Sequence, residues 1–220
     1  MSGTSVVTAD LFEDQRAGRE ALAPGAVWLR GHAIDDAPGL WDGVQQVIAA
    51  APLRHLITPG GQRMSVAMTN CGRLGWVSDR RGYRYETHDP ESGHPWPAMP
   101  PAFAAVARRA AEEAGYAGFA PDACLVNRYV PRTRLSLHQD RDERDYAAPI
   151  VSVSLGLPAT FLFGGRARND KTLRVPLQHG DVVVWGGPAR LYFHGVLPLA
   201  DGLHPLVGAQ RVNLTFRAAG

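Results

Sequence analysis

The chain has 220 residues, of which 45% are hydrophobic and 20% charged, and its formal net charge is +2. This composition excludes a disordered chain and predicts a globular protein with enough apolar residues for a core. The small net charge does not by itself indicate nucleic-acid binding, and no run approaches the ~20 apolar residues that cross a bilayer.

Two further features concern the cellular compartment. Residues 1–14 are polar and acidic, so they are not expected to act as a secretory signal. The two cysteines, Cys71 and Cys124, are too few for a disulfide scaffold and are expected to be buried free thiols. We therefore expect a cytoplasmic protein that does not bind a membrane.

The N-terminal quarter, residues 1–55, is predicted to hold an arm, a strand and a helix. Residues 1–24 are expected to form an arm or a short helix that ends at Pro24, and residues 26–29 a first strand. Residues 36–50 repeat apolar side chains at helical spacing after an Asp-Ala-Pro start, which predicts an amphipathic helix.

Residues 56–100 are rich in glycine, proline, arginine and aromatic residues and have little periodicity apart from a strand-like stretch at 64–69. An irregular segment of this length in a compact domain is usually functional, so we interpret it as a lid over a binding site. Residues 101–114 then predict a second helix with one apolar face, which Gly115 ends.

From residue 124 the chain changes to short strands at regular spacing, with glycine and proline between them. This pattern predicts a double-sheet jelly roll over residues 121–217, with the helix of residues 101–115 supporting one sheet from outside. The fold class is thus mainly β with flanking helices (α+β), in one domain spanning residues 1–220. The predicted strands cover residues 124–130, 136–138, 150–155, 160–163, 172–177, 181–185, 191–194 and 211–216.

His138 and Asp140 lie two residues apart at the end of a predicted strand, so their side chains should point to the same face. Two histidines and one carboxylate form the facial triad of non-haem Fe(II) oxygenases. His194, at the end of the predicted strand 191–194, is a candidate for the second histidine. His179 and Asp181 form a rival His-x-Asp pair, although they precede an apolar run and also fit a turn that begins a buried strand.

The last predicted strand alternates strictly between apolar and polar residues, with Arg211, Asn213 and Arg217 on the polar face. If the apolar face packs outward, the two guanidiniums point into the barrel, where arginines bind carboxylates bidentately. Asn127 and Tyr129 share a face of another strand and would add an amide and a phenol. The alternative is a solvated polar stripe on an edge strand.

Several motifs together closely resemble the AlkB family of Fe(II)- and 2-oxoglutarate-dependent dioxygenases, which repair alkylated nucleic-acid bases. The resemblance runs from about Trp28 to the C-terminus and is densest over residues 121–217. The motifs are residues 127–129 (NRY), 135–140 (LSLHQD), 150–156 (IVSVSLG), 179–187 (HGDVVVWGG), 194–195 (HG) and 211–217 (RVNLTFR).

The resemblance implies that His138, Asp140 and His194 bind Fe(II) and that His179 is structural. It implies that Arg211 and Arg217 pair with the far carboxylate of 2-oxoglutarate, helped by Asn127, Tyr129 and Asn213. With O2, the expected products are succinate, CO2, formaldehyde and the restored base.

For the substrate, the resemblance implies that a flipped base stacks between Trp76 and His138, and that Asp142 faces the amino group of the cationic bases N1-methyladenine or N3-methylcytosine. Tyr83 and Arg168 would meet phosphate or the base edge, and Met68 and Arg134 would complete the substrate site. The expected partner of this monomer is single- or double-stranded DNA, with RNA as a further substrate. Two alternatives remain: a related dioxygenase that acts on methylated RNA or on a substrate other than nucleic acid, and a metal-free jelly-roll binding module.

Overall fold

A computed structural model describes residues 18–220 of the chain. In this part of the chain, thirteen strands and two α-helices follow one another, with a short 3₁₀ turn at Gly187–Ala189. The helices are α1 (Ala37–Ala50) and α2 (Pro101–Glu113). The strands are β1 (Gly18–Ala23), β2 (Ala26–Arg30), β3 (Ala67–Gly72), β4 (Gly75–Asp79), β5 (Gly82–Glu86), β6 (Ala123–Tyr129), β7 (Leu135–His138), β8 (Ile150–Gly156), β9 (Ala159–Phe163), β10 (Leu173–Leu177), β11 (Val182–Trp185), β12 (His194–Val196) and β13 (Arg211–Arg217).

Two antiparallel sheets face each other and form the predicted jelly roll. The larger sheet has the order β1-β2-β11-β8-β13-β6-β3, and the smaller one has the order β10-β9-β12-β7. The eight strands from β6 to β13 contribute four neighbours to each sheet, which is the double-sheet arrangement of a jelly roll. The predicted fold class is confirmed.

The two helices cover the outer face of the larger sheet, because the apolar residues of its strands point towards them. Val212, Leu214 and Phe216 of β13 lie in one buried cluster with Leu40 of α1 and Phe103 of α2. Strand alternation therefore turns the polar residues of β13 towards the space between the sheets. The amphipathic patterns of both helices correctly predicted their positions.

The structure corrects three predicted elements. Residues 18–23 form strand β1 and not an arm or helix, because pairing with β2 outweighs a weak local helix propensity; residues 1–17 lie outside the described residues. The strand predicted at 64–69 lies further along the chain as β3 and pairs with β6 in the larger sheet. His194 begins a strand and does not end one, since a turn at 190–191 and two irregular residues, 192–193, precede it.

Of the predicted lid, residues 56–100, only the hairpin β4-β5 forms a separate two-stranded sheet. Trp76 pairs with Tyr85 and Ser78 pairs with Tyr83 across this hairpin, so all four side chains point to one face. That face lies over the opening between the two main sheets, where Trp76 and Tyr83 line a cavity. Within residues 18–220, no helix has the length and apolar character required to cross a membrane.

Candidate active site

His138, Asp140 and His194 come together at one end of the smaller sheet. His138 is the last residue of β7 and pairs directly with His194, the first residue of β12, while Asp140 follows in the loop after β7. One ligand atom from each residue lies within 4.8 Å of the others. Asp140 Oδ1 is 3.6 Å from His138 Nε2, and Asp140 Oδ2 is 3.8 Å from His194 Nε2.

The two histidines are oriented by the backbone in the way that metal ligands require. The Nδ1 atom of His138 is 2.9 Å from the carbonyl oxygen of Ser136, and that of His194 is 3.0 Å from the carbonyl oxygen of Tyr192. Because a carbonyl oxygen only accepts hydrogen bonds, each Nδ1 carries a proton. This leaves the Nε2 atom of each ring for a metal, and both Nε2 atoms lie next to Asp140.

The protonation states also suit a metal. Burial lowers the pKa of His194 to about 4, and the neighbouring His138 contributes to this shift. Burial opposes the ionisation of Asp140, but Arg217 and the two histidines outweigh it and hold its pKa well below the usual range. At neutral pH His194 is therefore neutral and Asp140 ionised. Two histidine nitrogens and one carboxylate fit Fe(II).

Gly195 makes the close pairing of β12 with β7 possible next to the triad. A Cβ atom at this position would lie 2.7 Å from the carbonyl oxygen of Leu135 and 3.2 Å from the backbone nitrogen of Leu137. A larger residue would push the two strands apart, and with them the two histidines. A glycine in a strand often marks such a close backbone approach.

Arg211 provides unpaired buried donors further inside the barrel. Its side chain is 2% exposed and donates one hydrogen bond from Nη2 to Ser154 Oγ, at 3.0 Å. Its guanidinium carbon lies 5.0 Å from the ring centroid of Tyr129, while Nε and Nη1 have no hydrogen-bond partner among residues 18–220. Burial lowers the pKa of Arg211. Buried donors of a cation without a partner are costly, so this arginine fits the carboxylate of a small anionic ligand.

A chain of amides and hydroxyls lines the barrel beside Arg211. Asn213 Nδ2 donates to Ser152 Oγ at 2.7 Å, and Thr215 Oγ1 donates to Asn213 Oδ1 at 2.8 Å. Asn127 Nδ2 lies 3.3 Å from Asn213 Oδ1, and its own Oδ1 is buried without a partner. The polar face predicted for the last strand therefore lies inside the barrel, and the alternative of a solvated edge stripe is wrong.

The structure separates the two arginines that the sequence placed on one carboxylate. Arg211 and Arg217 lie at opposite ends of β13, and six residues of extended chain span about 20 Å. The guanidinium of Arg217 contacts Asp140, with Nη2 at 2.6 Å from Oδ2, and Glu143, with Nε at 3.2 Å from Oε1. Arg217 thus lies beside the triad, and the binding of the far carboxylate by both arginines stays a prediction.

The lid hairpin brings aromatic residues to the mouth of the same space. The rings of Trp76 and Tyr83 stack with centroids 5.5 Å apart and planes at 15°. Trp76 Nε1 donates a hydrogen bond to Asp142 Oδ2 at 2.8 Å. The guanidinium carbon of Arg168 lies 5.2 Å from the ring centroid of Phe193, and both residues line the same cavity.

One cavity of about 720 Å³ connects these groups. Every site residue that the sequence predicted lines it, and their functional roles stay predictions. These residues are Met68, Trp76, Tyr83, Asn127, Tyr129, Arg134, His138, Asp140, Asp142, Arg168, His194, Arg211, Asn213 and Arg217.

Comparison with known proteins decides the family. The sequence model of the 2OG-Fe(II) oxygenase superfamily matches residues 26–217. The chain is 58% identical over 210 residues to the alpha-ketoglutarate-dependent dioxygenase AlkB of Salmonella typhimurium, which covers 96% of this chain and 97% of that protein. It is 57% identical over 211 residues to AlkB of Escherichia coli, which covers 96% and 98%. This chain belongs to the AlkB family of 2-oxoglutarate- and Fe(II)-dependent dioxygenases.

The fold of the dioxygenase agrees with a solved structure. The structure of OsALKBH1 superposes with a TM-score of 0.80 at 28% identity, and the match covers 91% of this chain and 99% of that one. The expected cofactors Fe(II), 2-oxoglutarate and O2 are those of the family, and the triad fits the metal. The alternative of a metal-free binding module is therefore wrong.

The rival histidine of the dioxygenase has the opposite orientation from the two in the triad. Nδ1 of His179 accepts a hydrogen bond from the backbone N–H of Gly156, at 2.9 Å. A neutral ring then carries its proton on Nε2, the atom that a metal would need. Asp181 meanwhile accepts hydrogen bonds from Trp28 Nε1 and the backbone of Gly31. Both residues thus hold the turn before β11 together.

Sequence reasoning missed the partners of the predicted site residues. Ser152 and Ser154 lie two apart in the apolar strand β8, and this alternation was a usable signal because it predicts one polar face. Glu143, Arg190 and Tyr85 carried no such signal. They belong to a loop, a turn and the lid, and they meet only in the folded dioxygenase.

Proposed function

We propose that this dioxygenase removes alkyl groups from nucleic-acid bases, with N1-methyladenine and N3-methylcytosine in DNA as its main substrates and RNA as a further one. The products would be succinate, CO2, formaldehyde and the restored base. The observation that carries the proposal is the single cavity in which a metal-type triad, unpaired donors of a buried arginine and a stacked aromatic pair occur together.

His138, Asp140 and His194 would hold Fe(II), since their free Nε2 atoms and carboxylate converge. When bound, Fe(II) with 2-oxoglutarate and O2 supplies the oxidising power that hydroxylates a C–H bond of the alkyl group. Arg211 would bind the far carboxylate of 2-oxoglutarate with its unpaired Nε and Nη1 donors. Asn213, held by its hydrogen bond to Ser152, would line the cavity beside Arg211.

The lid would hold the target base at the mouth of the cavity. A base inside a duplex is out of reach, so it must leave the stack and be held by aromatic faces and polar edges. Trp76 and Tyr83 offer such faces, and Asp142 offers a carboxylate that favours a positively charged base. Arg134 and Arg168 would bring positive charge to the phosphates around this mouth.

The chain itself would exclude water from the reacting carbon. Met68 is buried in the wall of the same cavity, and Trp185 and Phe161 pack around His194 with ring centroids at 4.9 and 5.9 Å. An apolar wall of this kind keeps solvent away from a reactive centre and strengthens the polar contacts inside.

A demethylation assay tests the proposal. Single-stranded oligonucleotides with one N1-methyladenine or N3-methylcytosine are incubated with Fe(II), 2-oxoglutarate and air. We expect one formaldehyde and one succinate for each restored base, loss of both in His138→Ala, and unchanged yields in His204→Ala, whose histidine lies next to His179. Matched DNA and RNA oligonucleotides measure the preference between the two polymers.

Two results would contradict the proposal. Succinate without formaldehyde from any oligonucleotide would favour a substrate other than nucleic acid, the alternative that the sequence left open. A rate on RNA far above that on DNA would favour the related activity on methylated RNA. We further propose that the enzyme acts as a monomer in the cytoplasm, supported by a site built from one chain and by buried free thiols at Cys71 and Cys124.

A further inference from the structure

Two neighbouring residues of the lid hairpin hold two consecutive carboxylates of the loop that follows β7. Trp76 and Tyr85 face each other across the hairpin β4-β5. Trp76 Nε1 donates to Asp142, and the Tyr85 hydroxyl donates to Glu143 Oε1 at 2.6 Å. Burial raises the pKa of Tyr85 well above its usual value, so the hydroxyl remains a donor. The hairpin is thus bound to the loop that carries Asp140.

Glu143 is the centre of a buried network. Its side chain is 2% exposed, and both of its oxygens have charged partners. Oε1 lies 3.2 Å from Arg217 Nε in addition to the Tyr85 hydroxyl, and Oε2 accepts a hydrogen bond from Arg190 Nη2 at 2.9 Å. A carboxylate with this number of donors in a dry environment has one favourable orientation.

The same two arginines hold Asp140. Arg217 donates to Asp140 Oδ2 from Nε and Nη2, and Arg190 Nη1 donates to the backbone oxygen of Asp140 at 2.7 Å. Two carboxylates and two guanidiniums therefore balance each other with almost no access to water. Since each charge lies in the field of the other three at low dielectric, a shift of Glu143 moves both groups that orient Asp140.

We propose that Tyr85 and Glu143 are positioning residues that couple the lid hairpin to the metal ligand Asp140, so that nucleic-acid binding at the lid tightens metal binding and metal binding tightens the lid. The effect on nucleic acid rests on the proposed function, in which the hairpin contacts the substrate. The effect on the metal does not, because the contacts lie within the chain itself. Such coupling acts equally in both directions.

Tyr85→Phe isolates this connection. The substitution removes one hydroxyl and leaves Glu143 paired with both arginines, so the fold is retained. Tyr116→Phe is the matched control, since the Tyr116 hydroxyl also makes one hydrogen bond, to the carbonyl oxygen of Gly25 at 2.7 Å, and Tyr116 does not line the cavity. Similar thermal unfolding midpoints for the two variants would show that they have lost a similar amount of stability.

The readout is Co(II) binding to the full chain, followed by the visible absorbance of the ion, with and without a methylated single-stranded oligonucleotide. Without nucleic acid, we expect Tyr85→Phe to weaken Co(II) about 5-fold, less than the ~10–100-fold typical of direct partners of metal ligands. Glu143→Gln should weaken Co(II) more and change the absorbance spectrum. The oligonucleotide should tighten Co(II) about 5-fold in the wild type and in Tyr116→Phe, and less than about 2-fold in Tyr85→Phe.

The results separate the two proposals. If the oligonucleotide does not bind the wild type, the proposed function fails, while the Co(II) affinities without nucleic acid still decide whether Tyr85 acts on Asp140. If Tyr85→Phe binds Co(II) as tightly as Tyr116→Phe in both conditions, the coupling through Tyr85 is overturned. A weaker affinity in both variants alike would reduce Tyr85 to a structural role and would also overturn it.

Discussion

Arg217 donates two hydrogen bonds to a single oxygen of Asp140, from Nε at 3.1 Å and from Nη2 at 2.6 Å. Both bonds end on Oδ2, so Oδ1 keeps its lone pairs and lies 3.6 Å from His138 Nε2. The ion pair thereby fixes which oxygen of the carboxylate is free. Arg211, at the other end of the same strand, has unpaired donors and no carboxylate partner within the described part of the chain. The two arginines should therefore have separate roles.

Charge-conserving substitutions should separate these roles. Lysine keeps the charge but loses the fork of donors that each arginine presents. We expect Arg211→Lys to weaken 2-oxoglutarate binding to the Mn(II)-loaded protein by about 10- to 100-fold, because it loses charge-assisted hydrogen bonds. Arg217→Lys should weaken Mn(II) itself by about 10-fold. Anaerobic calorimetric titrations measure both affinities. If both variants lost the same affinity for 2-oxoglutarate and the same affinity for Mn(II), the two arginines would not have separate roles.

The stacking face of Trp76 should matter for nucleic-acid binding more than for turnover. We expect Trp76→Ala to raise the KM for a methylated oligonucleotide by about 10- to 100-fold, since stacking of a base on an aromatic ring contributes ~1–3 kcal/mol. Trp76→Phe should raise the KM less, because phenylalanine retains an aromatic face for stacking although it loses the hydrogen bond to Asp142. Trp41→Phe on helix α1 is the control. A fall in kcat at unchanged KM would argue against stacking.

The charge of Asp142 should select the type of lesion. A carboxylate stabilises a cationic base such as N1-methyladenine more than a neutral one such as N1-methylguanine. We expect Asp142→Asn to lower kcat/KM for N1-methyladenine about 10-fold relative to N1-methylguanine, because a charge-assisted hydrogen bond becomes a neutral one. Asp145→Asn, in the same loop but outside the lining of the cavity, serves as the comparison. An equal fall in kcat/KM for both lesions would mean that the carboxylate does not discriminate between a cationic and a neutral base.

Asp89 should contribute a pH-dependent part of the stability. It is buried and binds Arg54 and the hydroxyl of Ser92. Burial opposes its ionisation, but these partners prevail and lower the pKa from 3.8 to about 2, which corresponds to about 2 kcal/mol. Because the folded pKa is depressed, this stabilisation is complete above about pH 5 and is lost as the pH falls through 2.

Urea unfolding at pH 7 and pH 3 measures this contribution. The free energy of unfolding of the wild type should exceed that of Asp89→Asn at pH 7, and the difference should fall by roughly half at pH 3. Glu91→Gln removes the exposed partner of Arg54 and should have a much smaller effect. A difference independent of pH would show that Asp89 acts through packing alone.

Much of the site could be predicted because strand alternation is a strong signal. A period of two places Arg211, Asn213 and Arg217 on one face, and it places His138 with Asp140 near the end of β7. The position of helices over the opposite face follows from the same pattern. Where the period is regular, the chain's own geometry decides which side chains share a surface.

Strand alternation predicts which face of a sheet a side chain lies on, but it does not predict which residue that side chain contacts. Arg217 shares a face of β13 with Arg211. Because it lies at the other end of the strand, it contacts Asp140 of the triad and Glu143. Glu143 lies in an irregular loop and Arg190 follows a 3₁₀ turn, so their meeting depends on tertiary packing. The strand β1 was missed for the same reason, since only its pairing with β2 makes it extended.

Because His194 pairs directly with His138 across β12 and β7, the metal site forms only when these two strands are in the correct register. A slip of one residue between these strands would turn His194 to the opposite face of the sheet and leave Asp140 with a single histidine. A chain caught in such a misfolded state would keep most of its hydrogen bonds but could not take up iron. Metal binding would then stabilise the correctly aligned barrel relative to states in which β12 and β7 are out of register. The yield of native protein would therefore rise with the supply of iron.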